Sequence, residues 1–257
     1  MNSQEIYIAF ITIIGKEVKR FLRVWSQTLL PPVITTGLYF LIFGSFIGSQ
    51  IKPISGFTYM QFIVPGLVMM TIITSAFQNT VSSFFFAKFQ RNIEELLVSP
   101  TPYWVIIGGF VGGGILRGLM VGAIVLGVSI FFAPISIAHA GVVLVFAFLT
   151  ATLFSLAGLT NAIFAKNFDG ISIFPTFVLT PLTYLGGIFY SIKALPPVWQ
   201  AVSQFNPVLY MIDGFRYGFL GITDVNPWFS FTVLASFSLV LLIVNWHLFK
   251  TGRGLRS

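Results

Sequence analysis

Long apolar runs recur along the chain and are separated by short polar segments. A helix needs roughly 20 mostly apolar residues to cross the hydrocarbon core of a bilayer. Runs that approach or exceed this length cover residues 27–48, 60–85, 104–133, 141–165, 171–191 and 228–249. The pattern predicts an all-α membrane protein with about six transmembrane helices, organised as one transmembrane domain over residues 1–257.

Residues 5–25 show a different pattern, in which apolar positions alternate with charged ones. The basic residues of this stretch are Lys16, Lys19, Arg20 and Arg23. Because several neighbouring charges cannot be buried in hydrocarbon, we predict an amphipathic helix that lies in the membrane interface. The alternative is that the first spanning helix simply begins early in the chain.

Composition indicates that lipid is the main solvent for the surface. The chain is 56% hydrophobic and 8% charged, whereas soluble domains carry about 25% charged residues. Lys and Arg number 14 against 7 Asp and Glu. Since the basic residues lie at the ends of apolar runs, this excess indicates a membrane protein and not a protein that binds nucleic acid. Cysteine is absent, which excludes disulfides and cysteine metal sites.

The basic residues also predict an orientation in the membrane. If the N-terminus is cytoplasmic, Lys52, Lys193 and Arg216 lie outside, and Arg117 lies within or near a span. The cytoplasmic set is then Lys16, Lys19, Arg20, Arg23, Lys88, Arg91, Lys166, Lys250, Arg253 and Arg256. Because cytoplasmic loops carry the excess of Lys and Arg, we predict that both termini are cytoplasmic.

A charged segment separates the second and third predicted spans. The pattern predicts a short amphipathic helix over 88–99 that ends at Ser99, because a residue before proline disfavours helix. Charges on one face and leucines on the other suit a docking surface, while a solvated connecting loop fits equally well. The candidate docking residues are Lys88, Arg91, Glu94, Glu95, Leu96 and Leu97.

Residues 195–220 are apolar but too short and too interrupted to cross the membrane. Asn206 is a suitable N-cap residue, and Pro207 would take the first helical position. We therefore predict short re-entrant helices that dip into the outer leaflet. Asp213 and Arg216 are spaced to pair on a helix. The alternative is a plain external loop with a surface ion pair.

Arg117 and the glycines around it are the unusual features of the third predicted span. A charge inside a span is costly in lipid and marks a candidate functional site. If the helix begins in the cytoplasm, the side chain instead lies near the boundary and extends towards it. An anionic headgroup suits Arg117 in either case. The recurring glycines allow another helix to approach closely. We favour a helix of the same chain, and the alternative is a helix of a second copy.

Catalytic and cofactor-binding patterns are missing from the sequence. No stretch matches the G-x-x-x-x-G-K-[ST] phosphate-binding loop, so we do not expect this chain to bind ATP or magnesium by itself. His139 and His247 are isolated, and the acidic residues do not cluster with them. The sequence therefore predicts neither a metal site nor an enzyme.

Motifs spread over most of the chain resemble the ABC-2 family of permeases. The segment EELLVSPTP is similar to the cytoplasmic coupling helix of that family. The C-terminal signature is matched in spacing by Leu179, Leu182, Leu185, Gly186, Leu195, Pro196, Pro207, Tyr210 and Arg216. Val208 departs mildly, since the family usually has a larger aliphatic residue there.

The resemblance implies a permease subunit of an ATP-driven exporter in the bacterial inner membrane. It implies a homodimer of six-helix subunits, each bound by a separate ATP-binding cassette subunit that holds ATP and magnesium. Residues 5–25 would be the connecting helix, 88–99 the coupling helix and 195–220 the external gate. The implied gate residues are Pro207, Tyr210, Asp213 and Arg216. The implied residues of a cavity lined by the second and fifth spans are Met69, Thr74, Phe77, Gln78, Thr180 and Thr183.

Two other functions remain open from the sequence. An ion-coupled transporter or channel usually needs ionisable residues near the midplane of the membrane, and Arg117 is the candidate here. A membrane scaffold is also compatible with the composition. The transported substrate is not indicated by any of these patterns.

Overall fold

The computed structural model describes residues 2–255. Met1, Arg256 and Ser257 lie outside the described residues. The predicted cytoplasmic position of Arg256 and the two ends of the predicted domain 1–257 therefore also lie outside them. The α-helices are α1 (Ser3–Arg23), α2 (Trp25–Thr28), α3 (Leu30–Tyr39), α4 (Tyr59–Phe89), α5 (Asn92–Val98), α6 (Tyr103–Ser129), α7 (Ala140–Phe164), α8 (Phe168–Phe174), α9 (Thr180–Tyr184), α10 (Pro197–Gln204), α11 (Pro207–Leu220) and α12 (Pro227–Thr251).

Five helical stretches within the described residues are long and apolar enough to cross a membrane. They are Trp25–Gly44, α4, α6, α7 and α12. The first combines α2 and α3 with the beginning of a π-helical stretch, Phe40–Ile47. An all-α membrane fold is therefore confirmed, and these five stretches overlap five of the six predicted spans.

The predicted span 171–191 differs from the observed structure. The chain there is helical from α8 through a π-helical stretch, Pro175–Leu179, to the end of α9 at Tyr184. Proline lacks an N–H donor and disturbs the regular ladder, and both the N–H and the hydroxyl of Thr180 donate to the Pro175 carbonyl. The helix then stops short of residue 191, and Gly187 turns the chain with a φ of +81°.

Helix α4 is the centre of the bundle. It packs against α6, α7 and α11, and its side chains are buried along most of its length. Ile63, Met69, Ile73 and Phe77 are fully enclosed. By contrast, α12 exposes apolar side chains along most of its length, as expected of a helix that faces lipid.

Glycines allow the central helices to approach closely. On α6, Gly118 and Gly122 face Ala76 and Ile72 of α4, so a methyl group at Gly118 would lie 2.9 Å from the Ala76 Cβ. The preceding glycines of α6, from Gly108 to Gly113, face α1 instead. The glycine row of the third predicted span is therefore used for packing inside the chain.

Helix α1 packs along the N-terminal half of α6. Ile13 and Phe21 are buried on the face towards the bundle, whereas Tyr7 and Ile8 are exposed. This division between the two faces is the amphipathic pattern seen in the sequence, and the helix covers nearly the range 5–25 predicted for it.

The close contact between α4 and α7 can be tested at Gly158, where an added Cβ would lie 2.6 Å from the Phe77 carbonyl oxygen. We expect Gly158→Ala to lower the free energy of unfolding by about 1–3 kcal/mol, because overpacking separates the two backbones. The measurement is the thermal unfolding midpoint in detergent.

The matched control for this substitution is Gly127→Ala on α6, where an added Cβ meets nothing within 4 Å. It should be neutral or stabilise the protein by up to about 1 kcal/mol, since alanine favours helix over glycine. Equal midpoints for the two variants would contradict the importance of the α4–α7 contact.

Candidate functional site

A short helix, α5, projects from the end of the bundle where α4 ends and α6 begins. Its start is set by Arg91, which adopts a left-handed conformation with a φ of 60°. Its end is set by Ser99, whose hydroxyl donates to the Leu96 carbonyl at 2.7 Å. The predicted helix over 88–99 is therefore too long, because the left-handed residue separates Lys88 from α5.

The side chains of α5 divide into one anchor and an accessible surface. Ile93 is 1% exposed and packs into the bundle. Glu94 and Glu95 are exposed, and Leu96 and Leu97 are half-buried. Of the six candidate docking residues, the four on α5 are thus exposed or half-buried, and Arg91 is exposed just before the helix.

Lys88 lies in the last turn of α4 and contacts a different part of the protein. Its Nζ donates to the carbonyl oxygens of Ile163, at 2.6 Å, and Ala165, at 3.1 Å. These carbonyls belong to the C-terminal end of α7, where a cation complements the helix dipole and the unpaired acceptors. Lys88 therefore ties α4 to α7 and does not form part of the α5 surface.

A groove separates α5 from the C-terminal end of α12. It has a volume of about 540 Å³, and Glu94, Leu97 and Val98 form one wall. Residues 249–252 and Leu255 form the other, because the chain turns back after α12 at Gly252 and Gly254, which both have positive φ. This groove could not be predicted from local sequence patterns, since two segments far apart in the chain meet there.

A second cavity, which we call the inner cavity, lies between α4, α6 and the helical stretch 168–184. Its volume is about 410 Å³. Its polar lining residues are Thr74, Gln78, Ser82, Arg117, Ser172, Thr176 and Thr180. Thr74, Gln78 and Thr180 from the predicted cavity set therefore come together here, and Arg117 joins them.

The other three predicted cavity residues lie elsewhere. Met69 is fully buried inside the bundle. The Phe77 ring stacks on Phe174, with 5.4 Å between the ring centroids. Thr183 is buried and donates to the Thr180 carbonyl at 2.8 Å. These positions follow from the faces of α4 and α9 on which the residues fall, and those faces turn away from the inner cavity.

Arg117 is 7% exposed and is held inside the chain. One guanidinium nitrogen, Nη2, donates to the Thr28 carbonyl at 3.3 Å, while Nε is buried without a partner. The charge remains within the bundle, beside the inner cavity.

Helix α11 is packed into the bundle against α4, α7 and α12. Asn206 caps it, since its Oδ1 accepts the Val208 N–H at 3.0 Å, and Pro207 takes the first position. The Tyr210 hydroxyl donates to the Gln204 carbonyl at 2.6 Å and joins α11 to α10. The predicted N-terminus of this helix thus agrees with the observed one.

Asp213 and Arg216 do not pair with each other as the spacing predicted. The salt bridges within residues 2–255 are Arg20–Glu17 and Lys193–Asp224. Arg216 Nη2 instead donates to the Gly187 carbonyl at 2.6 Å, and the guanidinium lies 3.9 Å from the centre of the Phe62 ring. Both side chains are buried and point to different loops, which explains why helical spacing gave the wrong partner.

Burial lowers the pKa of Arg216 to about 10, and the negative charges of Asp213 and Asp224 oppose that shift. The guanidinium therefore remains protonated at neutral pH. A charged donor on the carbonyls of Gly187 and Ile188 fixes the turn that follows α9. Arg216 thus links α11, the end of the 168–184 stretch and Phe62 of α4.

The comparison with known proteins identifies the fold family. Residues 8–220 match the family of ABC-2 type transporters. The chain belongs to this family. The ABC-2 chain is 59% identical over 251 residues to the inner membrane transport permease YadH of Escherichia coli K12, with 98% of each chain covered. It is also 24% identical over 218 residues to nodulation protein J of Rhizobium leguminosarum bv. viciae, with 83% of each chain covered. The resemblance found from sequence motifs is thereby confirmed.

One buried polar network of this ABC-2 chain was not predicted from its sequence. Glu17 of α1 is 1% exposed; it accepts from the Ser83 hydroxyl at 2.5 Å and from Arg20 at 3.1 Å. Arg20 also donates to the Asn79 side chain at 2.9 Å. The network joins α1 to the C-terminal half of α4. The three-residue spacing of Glu17 and Arg20 could have indicated that they pair on one helix face. Their partners on α4 could not be found from spacing, because they lie in a distant part of the sequence.

Asp213 provides a test of how α11 is joined to the loop that precedes α12. Its two carboxylate oxygens accept the N–H groups of Asp224, at 2.8 Å, and Val225, at 3.0 Å, and also accept the Thr223 hydroxyl. We expect Asp213→Asn to lower the free energy of unfolding by about 1.5–3 kcal/mol, because hydrogen bonds to a charged acceptor are lost. The measurement is the thermal unfolding midpoint.

Asp169→Asn is the control, because this substitution removes the same charge from an exposed side chain. Its effect should stay within about 0.5 kcal/mol. Protease cleavage of the 221–226 loop should increase in Asp213→Asn alone. If both variants behave like the parent chain, Asp213 does not hold this loop.

Proposed function

We propose that this ABC-2 chain is the membrane-spanning subunit of an ATP-driven exporter in the bacterial inner membrane. ATP and Mg²⁺ are bound by a separate ATP-binding cassette subunit, and two copies of the chain form the translocation unit. The family membership supports transport, and the 59% identical relative, an inner membrane transport permease, supports the inner membrane as the location.

The observation that carries this proposal is the construction of α5. An exposed acidic and apolar surface is held at one end of the bundle by a single buried anchor, Ile93. The short connections on either side join α5 to α4 and α6, which are the central helix and its glycine-packed neighbour. A soluble subunit that displaced α5 would therefore act directly on both helices.

The connections around α5 are short and well defined, so a displacement is not absorbed by a flexible loop. Residues 90–91 form the link to α4, and residues 99–102 form the link to α6. The Ser99 hydroxyl also contacts the Thr101 hydroxyl at 2.9 Å. In the proposed mechanism, nucleotide-driven closure of the partner pushes α5, and the bundle changes from an inward-facing to an outward-facing state.

The proposed orientation places both described ends of the chain in the cytoplasm. The groove between α5 and the end of α12 then faces the partner, with Glu94 on one wall and Lys250 on the other. The external gate is assigned to residues 195–220, in which α10 and α11 are joined through Tyr210. The inner cavity lies between these two ends and is assigned to the transport route.

The test is purification of a tagged chain from its native membrane under mild detergent, followed by an ATPase assay. A soluble partner in stoichiometric amount, with ATPase activity inhibited by vanadate, is the expected result. A chain that purifies alone and without ATPase activity, both in detergent and in lipid nanodiscs, would overturn the proposal.

The role of α5 is tested with Glu94→Ala combined with Glu95→Ala. Both side chains are exposed, so the thermal midpoint should change little, as for most surface substitutions. Stimulation of the partner's ATPase by the chain should fall by about tenfold, which corresponds to a loss of about 1.4 kcal/mol of coupling or binding. Asp169→Ala, an exposed acidic residue outside α5, is the control and should retain full stimulation. Full stimulation by the double variant would show that α5 is not the coupling segment.

A further inference from the structure

Arg117 is a buried cation without a counter-ion. Neither salt bridge within residues 2–255 includes it. The charged side chain that acts on Arg117 is Arg20, which has the same sign. Glu17, the buried carboxylate on the same helix as Arg20, is already engaged by Arg20 and Ser83. A buried and uncompensated charge is expensive, so a group outside this chain is needed to balance it.

The guanidinium is positioned to bind such a group in the inner cavity. Arg117 lines that cavity, and within residues 2–255 its guanidinium donates one hydrogen bond, from Nη2 to the Thr28 carbonyl. No Asp or Glu is among the lining residues. The site therefore offers an unused donor and a positive charge to a negatively charged ligand.

Two further side chains of the inner cavity are free to bind. Gln78 and Thr176 line the cavity, are exposed to it and donate no hydrogen bond within the described chain. The other hydroxyls of the lining, such as those of Thr74 and Ser82, donate to carbonyls of their own helix. Gln78, on α4, and Thr176, on the stretch 168–184, thus supply neutral donors to the cavity that Arg117 also lines.

The surroundings of the cavity indicate an amphiphile and not a small soluble anion. Its volume of about 410 Å³ is near the lower end of the roughly 300–1,000 Å³ of ligand pockets, which fits a headgroup better than a whole lipid. Ile171 and Leu179 form apolar parts of the wall. Next to Thr176, Phe177 and Val178 are 73% and 40% exposed, so acyl chains can lie on an apolar surface outside the cavity.

We propose that the inner cavity binds the anionic phosphate headgroup of a membrane phospholipid, with Arg117 as the charged donor and Gln78 and Thr176 as neutral donors. The inference assigns a ligand class to the cavity of the proposed permease and in that sense rests on the proposed function. Lipid binding needs neither ATP nor the ATPase partner, so the two proposals can fail separately.

The experiment is native mass spectrometry of the full chain with phosphatidylglycerol and phosphatidylcholine of identical acyl chains. The parent chain should retain phosphatidylglycerol about tenfold better than phosphatidylcholine. Arg117→Gln should remove this preference, because a charge-assisted hydrogen bond is lost. Arg117→Lys should retain part of it, since the charge remains without the planar fork. An equal preference in the parent chain and in Arg117→Gln would overturn the proposal.

Lys19→Gln is the matched control, because it removes one exposed positive charge from the neighbouring part of α1. Its preference for phosphatidylglycerol should equal that of the parent chain. If Arg117→Gln fails to fold, Gln78→Leu and Thr176→Val test headgroup binding instead, because both side chains are exposed and their replacement should not prevent folding. Each should weaken phosphatidylglycerol retention by about threefold, the size of one ordinary hydrogen bond; no change in either would overturn the proposal.

Glycerol phosphate, which has the headgroup chemistry but no acyl chains, separates a lipid from a free phosphate compound. It should displace phosphatidylglycerol only at concentrations about a hundredfold higher. Displacement at equal concentration would show that the cavity binds a soluble anion, and the proposed lipid ligand would then be wrong.

Discussion

The structure depends on the close approach of three helices, α4, α6 and α7. Lipid provides little hydrophobic force between helices, so their association relies on close packing and on hydrogen bonds. Gly118 and Gly122 on α6 and Gly158 on α7 remove the side chains that would keep α4 at a distance. The remaining elements are arranged around this contact: α1 uses the other glycines of α6, and α11 packs against α4 and α7.

Polar groups connect the outer elements to this centre at a few defined positions. Lys88 closes the end of α7, Glu17 and Arg20 bind the C-terminal half of α4, and Arg216 holds the turn after α9. Each contact satisfies helix carbonyls or buried charges that lipid cannot satisfy. The inner cavity is the place where this pattern is incomplete, because the Arg117 charge has no salt-bridge partner among residues 2–255. This contrast is why the cavity, and not the other polar sites, suggests an external ligand.

Much of the fold could be predicted from the sequence because lipid exposure imposes long apolar runs. The same reasoning extended the span at 171–191 too far, since hydropathy does not register the π-helical stretch at Pro175 or the turn at Gly187. For the candidate site, the exposed residues of α5 and the capped start of α11 followed from local patterns. The partners of Asp213 and Arg216 did not, because those partners lie in loops whose positions depend on tertiary packing.

The buried position of Glu17 has a consequence for the order in which the protein assembles. Helix α1 leaves the ribosome before the groups that receive it, Asn79, Ser83 and Gly113, have been synthesised. Until α4 and α6 are inserted, the carboxylate and Arg20 have only each other and water as partners. Helix α1 therefore stays at the membrane surface during synthesis, and it docks only when α4 and α6, which carry its partners, are in place.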